Sequence, residues 1–80
     1  MDRITRARMN RACEADYWAN TAAPRADAAA ASAERTAADP TKSAHVRTCA
    51  ARAATSAREN AAEYRYIADT LRAGEIPDGY

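Results

Sequence analysis

The stretch VRTCAARAATSARENAAEYRYIADTL, residues 46–71, decides the fold. Within it Val46, Ala50, Ala53, Ala57, Asn60, Tyr64, Ile67 and Leu71 fall at alternating spacings of four and three. On an α-helix that spacing is an a/d seam, here sustained for about three and a half heptads. No Gly or Pro interrupts it. The first half of the seam is alanine, which permits a second helix to come close, and the second half is Tyr, Ile and Leu. Asn60 stands at the junction, either as a polar seam residue that fixes register or as a group bonded to water at a frayed seam.

Working outward, Asp39-Pro40 is the strongest boundary signal, because the residue before proline is pushed out of the helical region. Asp39 reads as an N-cap and Pro40 as the first residue of a helix over about 40–73. Gly74 is well placed just past its end, and the tail 74–80, with Pro77 and Gly79, cannot extend it. Upstream, Pro24 suits the first turn of a helix over about 24–38. Ala26, Ala30, Ala33 and Ala37 make an alanine face on that helix. Two alanine faces joined by a tight turn suggest an antiparallel hairpin, with residue 24 level with about residue 55.

A further helix over about 2–20 has Ile4, Ala15, Trp18 and Ala22 on one face and Met9, Cys13 and Tyr17 on the other. The expected fold is thus all-α: a single domain, 1–80, built as a small alanine-rich bundle of three helices, the third long and carrying the heptad seam. Two placements of the first helix are compatible with this. If residues 20–23 form a turn, as their length favours, the first helix folds back on the second and Trp18 lies near Ala53 and Ala57. If the first helix instead runs in line with the second, it covers Tyr64, Ile67 and Leu71.

Composition agrees with helices and limits the core. Alanine, the best helix former, fills 24 of the 80 positions, while Ile4, Val46, Ile67, Leu71 and Ile76 are all the Leu, Ile, Val and Phe present. So small an apolar stock points to a marginal monomer that gains from self-association or from a partner. The longest apolar run is Ala28 to Ala31, far short of the ~20 residues of a membrane span, and no secretory signal is evident. The expected location is cytoplasmic.

Catalytic and metal chemistry find little support. His45 and Cys49 are four apart, and the fold-back arrangement would bring Cys13 to their level, but no fourth ligand or metal motif accompanies them. Glu59 and Glu63 read as a solvated helix face. No phosphate-binding glycine loop is present. No enzyme activity, cofactor or metal is expected.

Two surfaces carry the functional expectations. Arg3, Arg6, Arg8 and Arg11 give the first eleven residues a charge of +3 against −2 for the rest. Arginines at a helix N-terminus oppose the macrodipole, so local stability does not explain them. An acidic partner, protein or nucleic acid, would. On a helical wheel, however, Arg8 and Arg11 point away from Arg3 and Arg6, and the four do not form one stripe. Arg58, Arg65 and Arg72 repeat every seven residues along the third helix. In the fold-back arrangement its end projects uncovered, with Tyr64, Ile67 and Leu71 as anchors, Tyr66 beside them, and Arg65 and Arg72 at the rim.

In size, helicity and lack of catalytic groups the chain resembles the small inhibitors that phages and mobile elements encode, anti-CRISPR proteins among them. This resemblance is one of type and rests on no specific residue. It implies a non-enzymatic protein-binding module that occludes a site on a larger protein or nucleoprotein assembly. A nucleic-acid-associated protein using the Arg-rich first helix, and a structural homo-oligomer, are the alternatives.

Overall fold

A computed structural model describes residues 3–80, with the backbone alone for residues 4–7. The elements in chain order are α1 (Arg3–Tyr17), a π-turn (Trp18–Ala22), α2 (Ala23–Ala38) and α3 (Ala44–Arg72). The expected all-α class holds, and among the described residues there is no strand. The three-helix bundle does not. Through the π-turn, α1 and α2 are one continuous rod, and α3 packs along it antiparallel. The molecule is a two-helix hairpin of 59 × 20 × 13 Å.

Pro24 explains why the expected turn at residues 20–23 is a π-turn instead. Proline cannot donate to the carbonyl four residues back, and its ring collides with that carbonyl in a regular helix. Widening the preceding turn relieves both problems. The N–H of Ala23 bonds the carbonyl of Trp18, five residues back, which is the π pattern. The helix axis therefore continues through Pro24 rather than folding back.

The inserted residue also sets the packing. Ala23 and Ala30 are fully buried and seven apart, and a plain helix would put Asp16 at the preceding position of that row. The wider turn delivers Ala15 there, also fully buried. A carboxylate is thereby kept out of the core.

Opposite this row, α3 buries Ala54, Ala61, Ala68 and Leu71. One half of the expected seam, Ala50, Ala57, Tyr64 and Leu71, does face the rod. The other half is displaced by one residue: Val46, Ala53 and Asn60 are exposed, Ile67 is only half-buried, and Ala54, Ala61 and Ala68 take the inner positions. Alanine on both helices lets the axes approach closely. The smallest side chains then occupy the centre, and Tyr64 and Ile67 move to the flank. Asn60 has no seam role.

The connection is longer than the sequence suggested. Asp39 is extended (φ −80°, ψ 111°), as its position before Pro40 requires. Its Oδ1 accepts from the Thr41 N–H at 2.9 Å and from the Thr41 hydroxyl at 2.7 Å. These bonds close a local turn instead of capping a helix. Ser43 is the N-cap of α3, its Oγ accepting from the Val46 N–H at 3.2 Å. The hairpin apex therefore lies later than expected: Arg25 and Ala26 share a groove with Asn60 and Tyr64, whereas residue 24 was expected level with about residue 55. Arg47 reaches back to donate its Nε–H to the Ala37 carbonyl at 3.1 Å, satisfying one of the carbonyls left open at the end of α2.

At the other end Gly74 stops α3 as expected. Its φ of +81° is the left-handed conformation of a helix C′ residue. The bonds Gly74 N–H to Leu71 O and Glu75 N–H to Thr70 O, both 3.0 Å, form a Schellman motif. The tail then turns back through Pro77-Asp78-Gly79, and Tyr80 comes to rest against α1.

Candidate functional site

The hairpin has two unlike edges. Along one, Arg58, Arg65 and Arg72 meet an acidic row on the rod. Arg58 bonds Glu34 at 2.6 Å and Asp27 at 3.0 Å, Arg65 bonds the other oxygen of Asp27, and Arg72 bonds Asp16 at 3.0 Å. The Arg65 hydrogen bond, with Arg58 beside it, holds the Asp27 carboxyl below the usual range. Glu34, and then Asp27, stabilise the charge on Arg58. The seven-residue arginine repeat is thus an interhelical ion-pair ladder that fixes register.

The opposite edge is aromatic. Tyr17 ends α1, and the π-turn begins at Trp18. The Tyr17 ring meets the indole edge-on at a centroid distance of 5.3 Å, and the Tyr64 ring packs against the indole, tilted by 38°, at 5.1 Å. Tyr80 joins from the tail. Its hydroxyl donates to Glu14 Oε2 at 2.6 Å and accepts from the Trp18 indole N–H at 3.4 Å. The bond to Glu14 raises the Tyr80 phenol above its ordinary value, since ionising it would place two negative oxygens together. Tyr17, Trp18, Arg25, Asn60 and Tyr64 line an open groove of about 420 Å³.

The expected anchor set is divided by this arrangement. Leu71 is buried (3% exposed) in a cluster with Ala15 and Ala68, with Trp18, Ala19 and Ile67 packed around it. It was expected to be uncovered because α1 was expected to fold back; the in-line rod covers it. Tyr64 and Ile67 are half-buried on the aromatic edge. Arg65 and Arg72 are tied into the ladder on the other edge. Tyr66 points away from all of them and is 63% exposed. Trp18 meets Tyr64, not Ala53 and Ala57.

Of the expected basic patch, Arg3, Arg8 and Arg11 line a second groove with Arg72, at the open end of the hairpin. The side chain of Arg6, like that of Ile4, lies outside the described residues. Cys49 Sγ is 3.7 Å from His45 Nε2, but Cys13 lies near the far end of α3, beside the segment where Leu71 and Arg72 pack. The in-line rod separates the two thiols, and both cysteines are free and exposed. Among the described residues no three metal-ligating groups converge, and no helix is long and apolar enough to cross a membrane.

Tyr17, Trp18 and Tyr80 were not read as site residues from sequence. Adjacent aromatics just before a proline-marked turn, and a Pro-Asp-Gly turn returning a tyrosine toward the chain, were the signals available. Compared with protein-family models, with curated proteins and with solved structures, the chain has no significant match.

Proposed function

We propose that this chain is a non-enzymatic helical binding module that engages another protein through its aromatic edge and acts by occluding a surface on it. The observation that carries the reading is the Tyr17–Trp18–Tyr64 aromatic cluster. The buried core of the hairpin is alanine and Leu71, against which Trp18 packs, so close packing of the two helices does not call for Tyr17 beside the indole. Tyr17 is 50% exposed and adds little to the fold. Tyrosine, tryptophan and arginine are the residue types that dominate binding energy at protein interfaces. Here they surround a concave surface with Arg25 and Asn60 at the rim. Tyr64 and Ile67 keep the partner-facing role read from sequence, Leu71 supports them from beneath, and Arg65, Arg72 and Tyr66 have no part in it.

Capture from lysate of the native cell, with matched single variants, tests this. Tyr17→Ser should reduce capture of the bound protein at least tenfold, as loss of a hot-spot residue worth about 2 kcal/mol would. Tyr66→Ser, on the opposite face, should retain it, and both variants should keep the helical circular dichroism of the wild type. Equal retention by the two variants removes the aromatic edge from consideration. A second copy of the chain as the occupant would show as a concentration-dependent mass that Tyr17→Ser abolishes.

A further inference from the structure

At the open end of the hairpin α1 outruns α3. Leu71 packs against Ala15 and α3 stops at Arg72, so the first turns of α1 have no α3 turn opposite them. The face that Ala15 presents to α3 continues toward the N-terminus at spacings of four and three as Arg11 and Arg8. Arg3 and Arg72 complete the lining of an open groove of about 840 Å³, whose floor includes Leu71.

These arginines differ from those of the ladder. Arg58, Arg65 and Arg72 each have a carboxylate on the other helix, whereas among the described residues Arg3, Arg8 and Arg11 have none within ion-pair distance. Their mutual repulsion and their opposition to the helix dipole both weaken the fold. Charge is also unevenly spread along the sequence, +3 over the first eleven residues and −2 over the remainder. Glu14, Asp16, Glu75 and Asp78 share that end of the hairpin, so the attraction for a polyanion comes from the unpaired arginines of the groove rather than from net charge.

We propose that this groove binds the phosphate backbone of a single nucleic-acid strand. Guanidinium forks match phosphate oxygens two at a time, and a strand supplies phosphates in series, to Arg11 and Arg8 on one helix face and to Arg3 and Arg72 at the margins of the groove. The groove lies between the α1 overhang and the end of α3 on a molecule only 20 × 13 Å in cross-section. A single strand can follow that concave surface closely. The site is separate from the aromatic edge and does not rest on the reading given for it.

Fluorescence anisotropy of the full chain with a labelled oligothymidylate of about twenty nucleotides tests the proposal. With three or four phosphates contacted, the logarithm of affinity should fall with that of salt at a slope of about −2 to −3. Arg8→Ala with Arg11→Ala should weaken binding about tenfold or more at low salt and reduce the slope by about 1.4. Arg35→Ala with Arg52→Ala removes the same charge elsewhere and should change affinity less than about twofold. Tyr17→Ser should bind the strand as wild type does, with helix content of all variants checked by circular dichroism. Absence of binding at low salt overturns the proposal, as does equal loss in the two double variants. Binding of a duplex or of a polyglutamate peptide as tight as that of the strand overturns the assignment of the occupant.

Discussion

Tyr80 and Asp27 are residues through which pH should act on stability in opposite directions, and Asp39, held low by its bonds from Thr41, acts in the same direction as Asp27. The Tyr80 phenol is raised above its ordinary value of about 10 by its bond to Glu14. A proton held more tightly in the folded state stabilises fully below the unfolded value. That contribution is lost as pH rises through the folded value. Asp27 is depressed by Arg65 and Arg58, so its contribution is present above the ordinary carboxylate value and is lost as pH falls through the folded one. Urea unfolding from pH 2 to 11 should therefore show a plateau with a fall at each end. Tyr80→Phe should flatten the alkaline fall and leave the acid fall in place, whereas Asp27→Asn should reduce the acid fall, to which Asp39 still contributes, and leave the alkaline one. An alkaline fall of full size in Tyr80→Phe would mean that the tail does not rest on Glu14.

At the scale of elements, α3 was legible and the π-turn was not. Seven-residue periodicity, Asp39-Pro40 and Gly74 bound α3 to within a few residues, because each acts through local backbone geometry. The seam phase was misread by one residue along half its length, since Ala53 and Ala54 give periodicity nothing to distinguish. Ile67 then drew the choice by its size, where close packing selects Ala68. Pro24 was ambiguous for a different reason. Proline after a short polar stretch starts a new helix or sits behind a widened turn, and only packing of the distant Ala15 against Ala68 and Leu71 decides between them. If register is what the π-turn serves, deleting Asn20 restores seven-residue spacing between Ala15 and Ala23. It also sets Pro24 into a regular turn, at a cost of about 3 kcal/mol. The deletion alone should lower stability by about that amount. Deletion together with Pro24→Ala should recover most of it, as measured by thermal melts. Failure of the second change to recover stability would assign the π-turn a role other than accommodating Pro24.

For the whole molecule, one topological choice determines which surfaces are free. A fold-back first helix leaves Tyr64, Ile67 and Leu71 bare and puts Cys13 beside Cys49. The in-line rod covers Leu71, creates the aromatic groove at the junction of α1 and α2, and carries the arginines past the end of α3. The candidate site was therefore only partly legible: Tyr64 and the arginines came from the sequence, but their neighbours depended on the choice of topology. The two cysteines report on that choice directly, because both are free and exposed and accept spin labels without disturbing the core. In the hairpin Cys13 lies near the level of Leu71, twenty-two residues along α3 from Cys49, or about 33 Å at 1.5 Å per residue. Double electron–electron resonance on the doubly labelled protein should give a distance distribution centred above about 30 Å, as that helix rise requires. The fold-back arrangement places the labels at one level of a bundle and requires a distance nearer the 8–10 Å between packed helix axes, lengthened only by the label arms. A dominant short-distance population would return Leu71 to the surface and remove both grooves at once.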